Sequence, residues 1–330
     1  MKHGFSTIAL SLGFIASATA FNAAQAASLV AINSANQIGV FDSEKANKAS
    51  FINISGFQSV GESFLGIDLR PSNNTIYGIS TASKLYTVDA FTGAASFIAA
   101  LTGYTVNTKL GYGIDFNPVA DRSAAPSLRV VTSAGDNLAV NANNGAVTTQ
   151  ISLKTTAKGA QTNTVATGYT NVAYINSDPT QNTAPADTDL YYLNFEKNVQ
   201  AVALAAFNDP TIITSEKGLG FDILSAGGFD IFSRNGKNTA YAAVNVKEDE
   251  YDKDDSKGKA KGKDKEENEI ESFLLEIDLK TGKAKKLGEF DFDGYVTGLT
   301  SAPSPVPVPS AVWLLGSALL GFVSFKRKSV

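Results

Sequence analysis

The 330-residue chain contains no cysteine and only one histidine, one methionine and one tryptophan. The three singletons are His3, Met1 and Trp313, all near the chain ends. Residues 27–302 therefore hold none of these four residue types. This excludes nucleophile–His triads, thiolate catalysis and His- or Cys-ligated zinc from the body of the protein. It also excludes disulfides, although an exported protein could form them. Without tryptophan, any stacking against a sugar ring falls to tyrosine and phenylalanine, of which the whole chain has 11 and 20.

Basic charge is also short. The chain has 28 Lys/Arg against 32 Asp/Glu, and Lys2, Lys326, Arg327 and Lys328 are the only charged residues of the two ends apart from the termini. The body thus keeps 24 bases against 32 acids, a net charge of −8, which disfavours nucleic acid as a partner.

Both ends read as routing signals. Residues 1–26 have a basic start at Lys2, an apolar run through Phe21, and Ala24-Gln25-Ala26. Small residues at Ala24 and Ala26 satisfy a secretory cleavage rule, so export and cleavage after Ala26 are expected. Residues 303–330 open with a Pro-rich lead-in that includes Pro307 and Pro309. An uncharged stretch follows at 311–325, then Lys326-Arg327-Lys328. A lipid-spanning helix needs about 20 apolar residues, which this stretch reaches only with its lead-in. The basic cluster would stay cytoplasmic, so the tail is expected to tether a body that lies outside.

Val306-Pro-Val-Pro-Ser310, the Ala-Val-Trp-Leu-Leu-Gly run and the basic tail resemble a PEP-CTERM sorting signal of the Val-Pro-x-Pro-Ala kind. The resemblance implies an exosortase-type membrane protease as a partner beside the secretion machinery. It further implies transient membrane anchoring, a final place at the cell surface or outside, and a bacterium that makes extracellular polysaccharide.

Between these ends the chain repeats. Five strand-like runs end in Asp42, Asp89, Asn141, Asn194 and Asp278, each with Gly or Asn a few residues on. Asp and Asn side chains bond back to a turn, and Gly or Asn accepts positive φ, so each run predicts a short hairpin loop. The spacings are 47, 52, 53 and 84 residues, and the last falls to 61 without residues 247–269. That segment holds seven Lys and ten Asp/Glu among 23 residues. It lacks the acidic spacing and glycine of an EF-hand loop and reads as a charged, disordered insertion between two strands.

A period near 50 residues marks propellers and solenoids and leaves room for about four strands per unit. Gly-[Ile/Phe]-Asp recurs at 66–68, 113–115, 220–222 and 228–230, and three of these copies open a run of strands. Residues 169–175 take that place in another unit, and 296–300 form the last strand. Pairing that strand with 28–33 would close a ring and remove exposed edges. No helical periodicity competes. The expected fold is all-β, a propeller of five blades of about four strands over residues 27–302. Six blades or a β-sandwich are the alternatives.

The body resembles the bacterial family known as domain of unknown function 4394. The resemblance rests on Gly66-Ile-Asp-Leu-Arg-Pro71, Leu85-Tyr-Thr-Val-Asp89 with Thr92-Gly93, Asp115-Phe-Asn-Pro118, Asp121-Arg122, Arg129-Val-Val131 and Gly228-Phe-Asp-Ile231. It implies an exported, propeller-like β-protein with no assigned activity.

The candidate site residues are Asp68, Asp115, Asp222 and Asp230, with Arg70, Asp121 and Arg122. Innermost Gly-x-Asp strands would bring their carboxylates together at a channel. Converging carboxylates bind hard cations, so calcium is the one cofactor to consider. Alternatively each Asp caps backbone at a blade junction, and Arg70 and Arg122 pair with local acids. Two functions follow. One is a non-enzymatic binding or scaffold propeller associated with extracellular polysaccharide matrix. The other is a calcium- or carboxylate-dependent hydrolase acting on sugars or lactones, which needs two carboxylates at a set separation.

Overall fold

The computed structural model describes residues 26–155, 164–203, 211–212, 218–220, 223–247, 270–292 and 294–304. The leader, residues 248–269 of the charged insertion, Asp222 and the tail with Pro307, Pro309 and Lys326–Arg327–Lys328 lie outside these. Among the described residues, no helix is long and apolar enough to cross a membrane.

The chain opens with β1 (Ser28–Asn33), β2 (Gln37–Asp42) and β3 (Ser50–Asn53), with a 3-10 turn at Ala46–Lys48. The next unit is β4 (Phe64–Arg70), β5 (Thr75–Ser80), β6 (Lys84–Val88) and β7 (Ala95–Ala100). Then come β8 (Tyr112–Phe116), β9 (Ser127–Thr132), β10 (Asn137–Asn141) and β11 (Val147–Thr149). A small hairpin, β12 (Lys154–Thr155) and β13 (Thr164–Val165), precedes β14 (Tyr169–Tyr174), β15 (Leu190–Asn194), β16 (Val199–Ala203) and β17 (Thr211–Ile212). The last elements are β18 (Ser225–Arg234), β19 (Lys237–Lys247), β20 (Ile270–Ile277), β21 (Ala284–Glu289) and β22 (Val296–Ser301).

These form five antiparallel four-stranded sheets. Four are sequential meanders, and the fifth has the order β22-β1-β2-β3. The final strand therefore joins the first unit, with Ala31 opposite Leu299 and Val30 opposite Thr300. The innermost strands contact one another in a cycle: β4 with β8, β8 with β14, β14 with β18, β18 with β22, and β22 with β4. Pairing β22 with β1 closes the ring, and the inner edge of each sheet faces its neighbours around the channel.

The core is divided into five layers, one between each pair of neighbouring blades. Tyr77, Ile79 and Leu85 of one blade pack on Ile114, Phe116 and Val130 of the next, for example. Val30 and Ile32 pack on Ile67 and Ile76 at another junction. Inner and middle strands are covered on both faces, which is why they read as nearly unbroken apolar runs. β1, for instance, is buried at five of its six positions.

The Asp/Asn-ended turns behave as their residue types dictate. Asp89 Oδ1 accepts the N–H groups of Phe91 (2.8 Å) and Thr92 (2.9 Å). Asp278 Oδ1 does the same for Lys280 (2.8 Å) and Thr281 (2.9 Å). Gly93 follows at φ +72° and presses on Asn53 O, where a Cβ would sit 2.3 Å away. The turn thus docks on the linker leading in from the previous blade.

Candidate functional site in the central channel

Alternate residues of each innermost strand share one face, because side chains on a strand repeat every two positions, and at the glycines that face abuts the neighbouring blade. Matching the five strands by register gives two adjoining layers. One is Gly66, Gly113, Asn171, Gly228 and Gly298. The other is Asp68, Asp115, Ala173, Asp230 and Thr300. The glycines of the first layer are required where the strands nearly touch. A Cβ on Gly113 would sit 2.5 Å from Asn171 Cα. Gly228 adopts φ +150° and its Cβ would fall 2.3 Å from Leu299 N.

The second layer forms a ring of junction hydrogen bonds with one rule. The side chain of one blade accepts the backbone N–H that follows the matching position in the next blade. Phe116 N–H donates to Asp68 Oδ2 at 2.7 Å. Tyr174 N–H donates to Asp115 Oδ1 at 3.2 Å. Ser301 N–H donates to Asp230 Oδ2 at 2.5 Å, and its hydroxyl donates to the same oxygen at 2.6 Å. Leu69 N–H donates to Thr300 Oγ1 at 2.9 Å, and that hydroxyl donates on to Asp68 Oδ1 at 3.0 Å. Only Ala173 cannot accept. The N–H it would serve, on Ile231, donates to Asp230 Oδ1 at 2.6 Å.

This geometry brings Asp68, Asp115 and Asp230 together. One oxygen from each lies within 4.8 Å of the others, and the residues are 4%, 2% and 4% exposed. Burial, and then the charge of Asp230, push the Asp68 carboxyl well above its ordinary range. Burial, and then the charges of Asp68 and Asp230, do the same to Asp115. Burial raises Asp230 too, against the pull of its Ser301 hydrogen bonds. Among the described residues, no Lys or Arg makes an ion pair with any of the three. Arg129 stands opposite Asp115 in register but donates to Asn137 Oδ1 (2.5 Å) and the Tyr174 hydroxyl (3.3 Å) instead.

The remaining candidates lie elsewhere. Arg70 ends β4 and its Nε donates to Asp121 Oδ1 at 2.6 Å, while Ser72 N–H donates to Asp121 Oδ2 at 2.7 Å. Arg122, half-buried and next in sequence to Asp121, donates to the carbonyl of Gln181. Both arginines thus meet local partners on the face where inner strands end, away from the three acids. Gly220 lies in a turn before β18. Sequence reasoning missed Thr300 and Asn171. The signal for Thr300 was present: Gly298-Leu299-Thr300 keeps the Gly-apolar-polar spacing of the Asp copies.

Five four-stranded blades around a channel, closed by pairing strands from the two chain ends, make the protein a five-bladed β-propeller. The chain belongs to the family described as a domain of unknown function (DUF4394), whose model matches residues 37–300. No curated protein matches it. Among solved structures it is similar to the computationally designed Ika8 protein at 12% identity, with 82% of this chain and 61% of that one covered and a TM-score of 0.31. It is also similar to U3-55K, at 10% identity, 84% and 86% coverage and a TM-score of 0.37. A putative TolB from Agrobacterium tumefaciens gives 10% identity, 83% and 92% coverage and a TM-score of 0.38.

Proposed function

We propose that the protein is an exported, non-catalytic propeller that binds or scaffolds material of an extracellular polysaccharide matrix. In this reading the leader directs it across the membrane, and the tail anchors it until a sorting protease cuts. The observation that carries the non-catalytic part is the sealing of the central acids. All three are buried, and each accepts a backbone N–H of the ring itself. The channel cavity in the adjoining glycine layer measures about 20 Å³, room for roughly one water rather than a sugar ring. A glycosidase flanks its substrate with two carboxylates, and this geometry offers no such opening. The matrix as partner is supported by the tail's resemblance to a sorting signal.

The test pairs two measurements on the exported protein. Retention on matrix polysaccharide from an exporting bacterium, together with no turnover of a panel of glycosides and lactones with and without calcium, is the expected result. Turnover of any panel member that is lost in Asp68→Asn or Asp230→Asn would replace this reading with the hydrolase.

A further inference from the structure

We propose that the face of the ring where the inner strands end is turned toward the lipid surface, held there by a clamp on Ser304 from which the tail departs. The inference rests on the reading that the tail tethers the protein, and adds to it a fixed orientation of the body.

The departure point is set by the two blades that flank β22. The chain runs from the end of β22 at Ser301 to Ser304, and side chains from both neighbouring blades grip that residue. Asn74, in the turn between β4 and β5, accepts the Ser304 N–H on Oδ1 at 2.8 Å. Its Nδ2 donates to the Ser304 carbonyl at 2.8 Å. Arg234, the last residue of β18, donates to the Ser304 hydroxyl at 2.8 Å. The gripping residues are themselves fixed. Asn74 sits at φ +55° and its N–H donates to Arg70 O at 2.9 Å. Asp178 holds the N–H of Asn235, next to Arg234, at 2.9 Å. A segment bonded through both backbone groups and its side chain is tied down, unlike most chain ends.

The body also begins on this face. Leu29 stands opposite Ser301, and Ala302 N–H donates to Ser28 O at 2.9 Å. The leader and the tail therefore join the ring side by side.

Length decides what the clamp means. Residues 305–310, three of them proline, separate Ser304 from the uncharged stretch at 311–325. A Pro-rich chain extends about 3.1 Å per residue, so this lead reaches about 20 Å. Four strands about 4.8 Å apart make a blade about 15 Å deep, and an inner strand is about 20 Å tall. A path from the hub around the rim to the opposite face thus exceeds about 30 Å, more than the lead can cover. Lipid reached through it meets the face that carries Ser304. The opposite face, where Val60 and Ile151 stand exposed, looks away.

The test exploits the absence of cysteine, since a single introduced thiol takes a single fluorophore. Val119→Cys puts it in the loop after β8, on the lipid-facing side. Val60→Cys and Ile151→Cys put it on the opposite side, and all three positions are exposed. The protein is purified with its tail from a host without the sorting protease. It is then reconstituted in vesicles of phosphatidylethanolamine and phosphatidylglycerol carrying a headgroup-linked quencher. We expect quenching at Val119 at least about threefold stronger than at Val60 or Ile151, because its label lies about 20 Å nearer the lipid. Asn74→Gly keeps the positive φ and removes both backbone bonds of Ser304. Combined with Ser304→Ala, it should keep its circular dichroism and lose at least about half of the contrast, as the freed residues lengthen the lead. Equal quenching at the three sites, or stronger quenching at Val60, would overturn the orientation. An unchanged contrast in the double variant would overturn the clamp as its cause. Protein that does not float with the vesicles would instead refute the tether on which the inference rests.

Discussion

The carboxylate of Asp230 accepts the backbone N–H of its own neighbour, Ile231, at 2.6 Å. By the rule of the ring this N–H belongs to position 173 of the preceding blade, where alanine has no acceptor. Asp230 therefore serves two junctions, since its other oxygen holds Ser301 of the following blade. Its two oxygens face donors on both sides.

Asp230→Asn should therefore cost more than Asp115→Asn. An amide at 230 turns its NH2 toward a backbone N–H whichever way it flips, leaving a buried donor stranded. The expected loss is about 1–3 kcal/mol by urea unfolding. Asp115→Asn can aim its oxygen at Tyr174 N–H, and should lose less or even gain as like charges are relieved. Equal losses at the two positions would contradict the described bonding.

Thr300 tests the same ring without replacing a carboxylate. Its hydroxyl accepts Leu69 N–H and donates to Asp68. Thr300→Val keeps the shape, strands both partners, and should cost about 1–3 kcal/mol. Thr300→Ser should recover most of that loss. If valine and serine behave alike, the hydroxyl has no part in joining the blades.

Much of this was legible in the sequence, and the reasons are physical. Turn chemistry is local, so the Asp/Asn-ended runs gave the hairpins, and their period gave five blades. Three of the four Gly-x-Asp copies marked inner strands, because only glycine lets them approach as Gly113 approaches Asn171, whereas Gly220 lies in a turn. Ring closure through 28–33 and 296–300 followed from the need to cover edges. The finer ring did not follow. Which N–H each Asp accepts depends on how adjacent blades are staggered, and no single strand carries that information. Ala173 and Thr300 were hidden because their side chains break the acidic pattern while their backbones keep it. The pairing of Arg70 with Asp121 joins residues 51 apart through a loop, beyond what repeat spacing reveals.

The pair Arg70–Asp121 and the neighbouring Arg122 should respond differently to truncation. Asp121 is 1% exposed and also holds Ser72 N–H, so Asp121→Ala strands a guanidinium and a backbone donor. The expected loss is about 3–5 kcal/mol. Arg122 is half-buried and donates to a carbonyl, so Arg122→Ala should cost about 0.5–1.5 kcal/mol, well below the Asp121 variant. Chemical denaturation of both variants checks the contrast.

The three ring acids should show an inverted acid response. The folded carboxyls of Asp68, Asp115 and Asp230 titrate above their ordinary values, so the folded state binds protons the unfolded chain has released. Their contribution is present below the unfolded value of about 4 and is lost as pH rises through the raised folded values. The three acids' share of the stability should fall over that window. Melting curves of the parent and of Asp115→Asn from pH 4 to 8 check the sign, and the difference between them should move against the parent as pH rises. A difference that moves in the parent's favour would contradict the raised carboxyls.

Lys247 of β19 and Ile270 of β20 form the last pair of their ladder, so residues 248–269 span a gap that a tight turn can close. A two-residue Asn-Gly loop matches the twist of such a hairpin. Replacing the 22 residues with it shortens the loop roughly elevenfold. At about 0.6 kcal/mol per doubling, this stabilises the fold by at most about 2 kcal/mol. Tyr251 is the single aromatic residue removed, and the remainder is mostly Lys, Asp and Glu, so little apolar burial is forfeited. The melting temperature should stay level or rise by a few degrees. A drop beyond about 5 °C would show that the insertion packs on the blades.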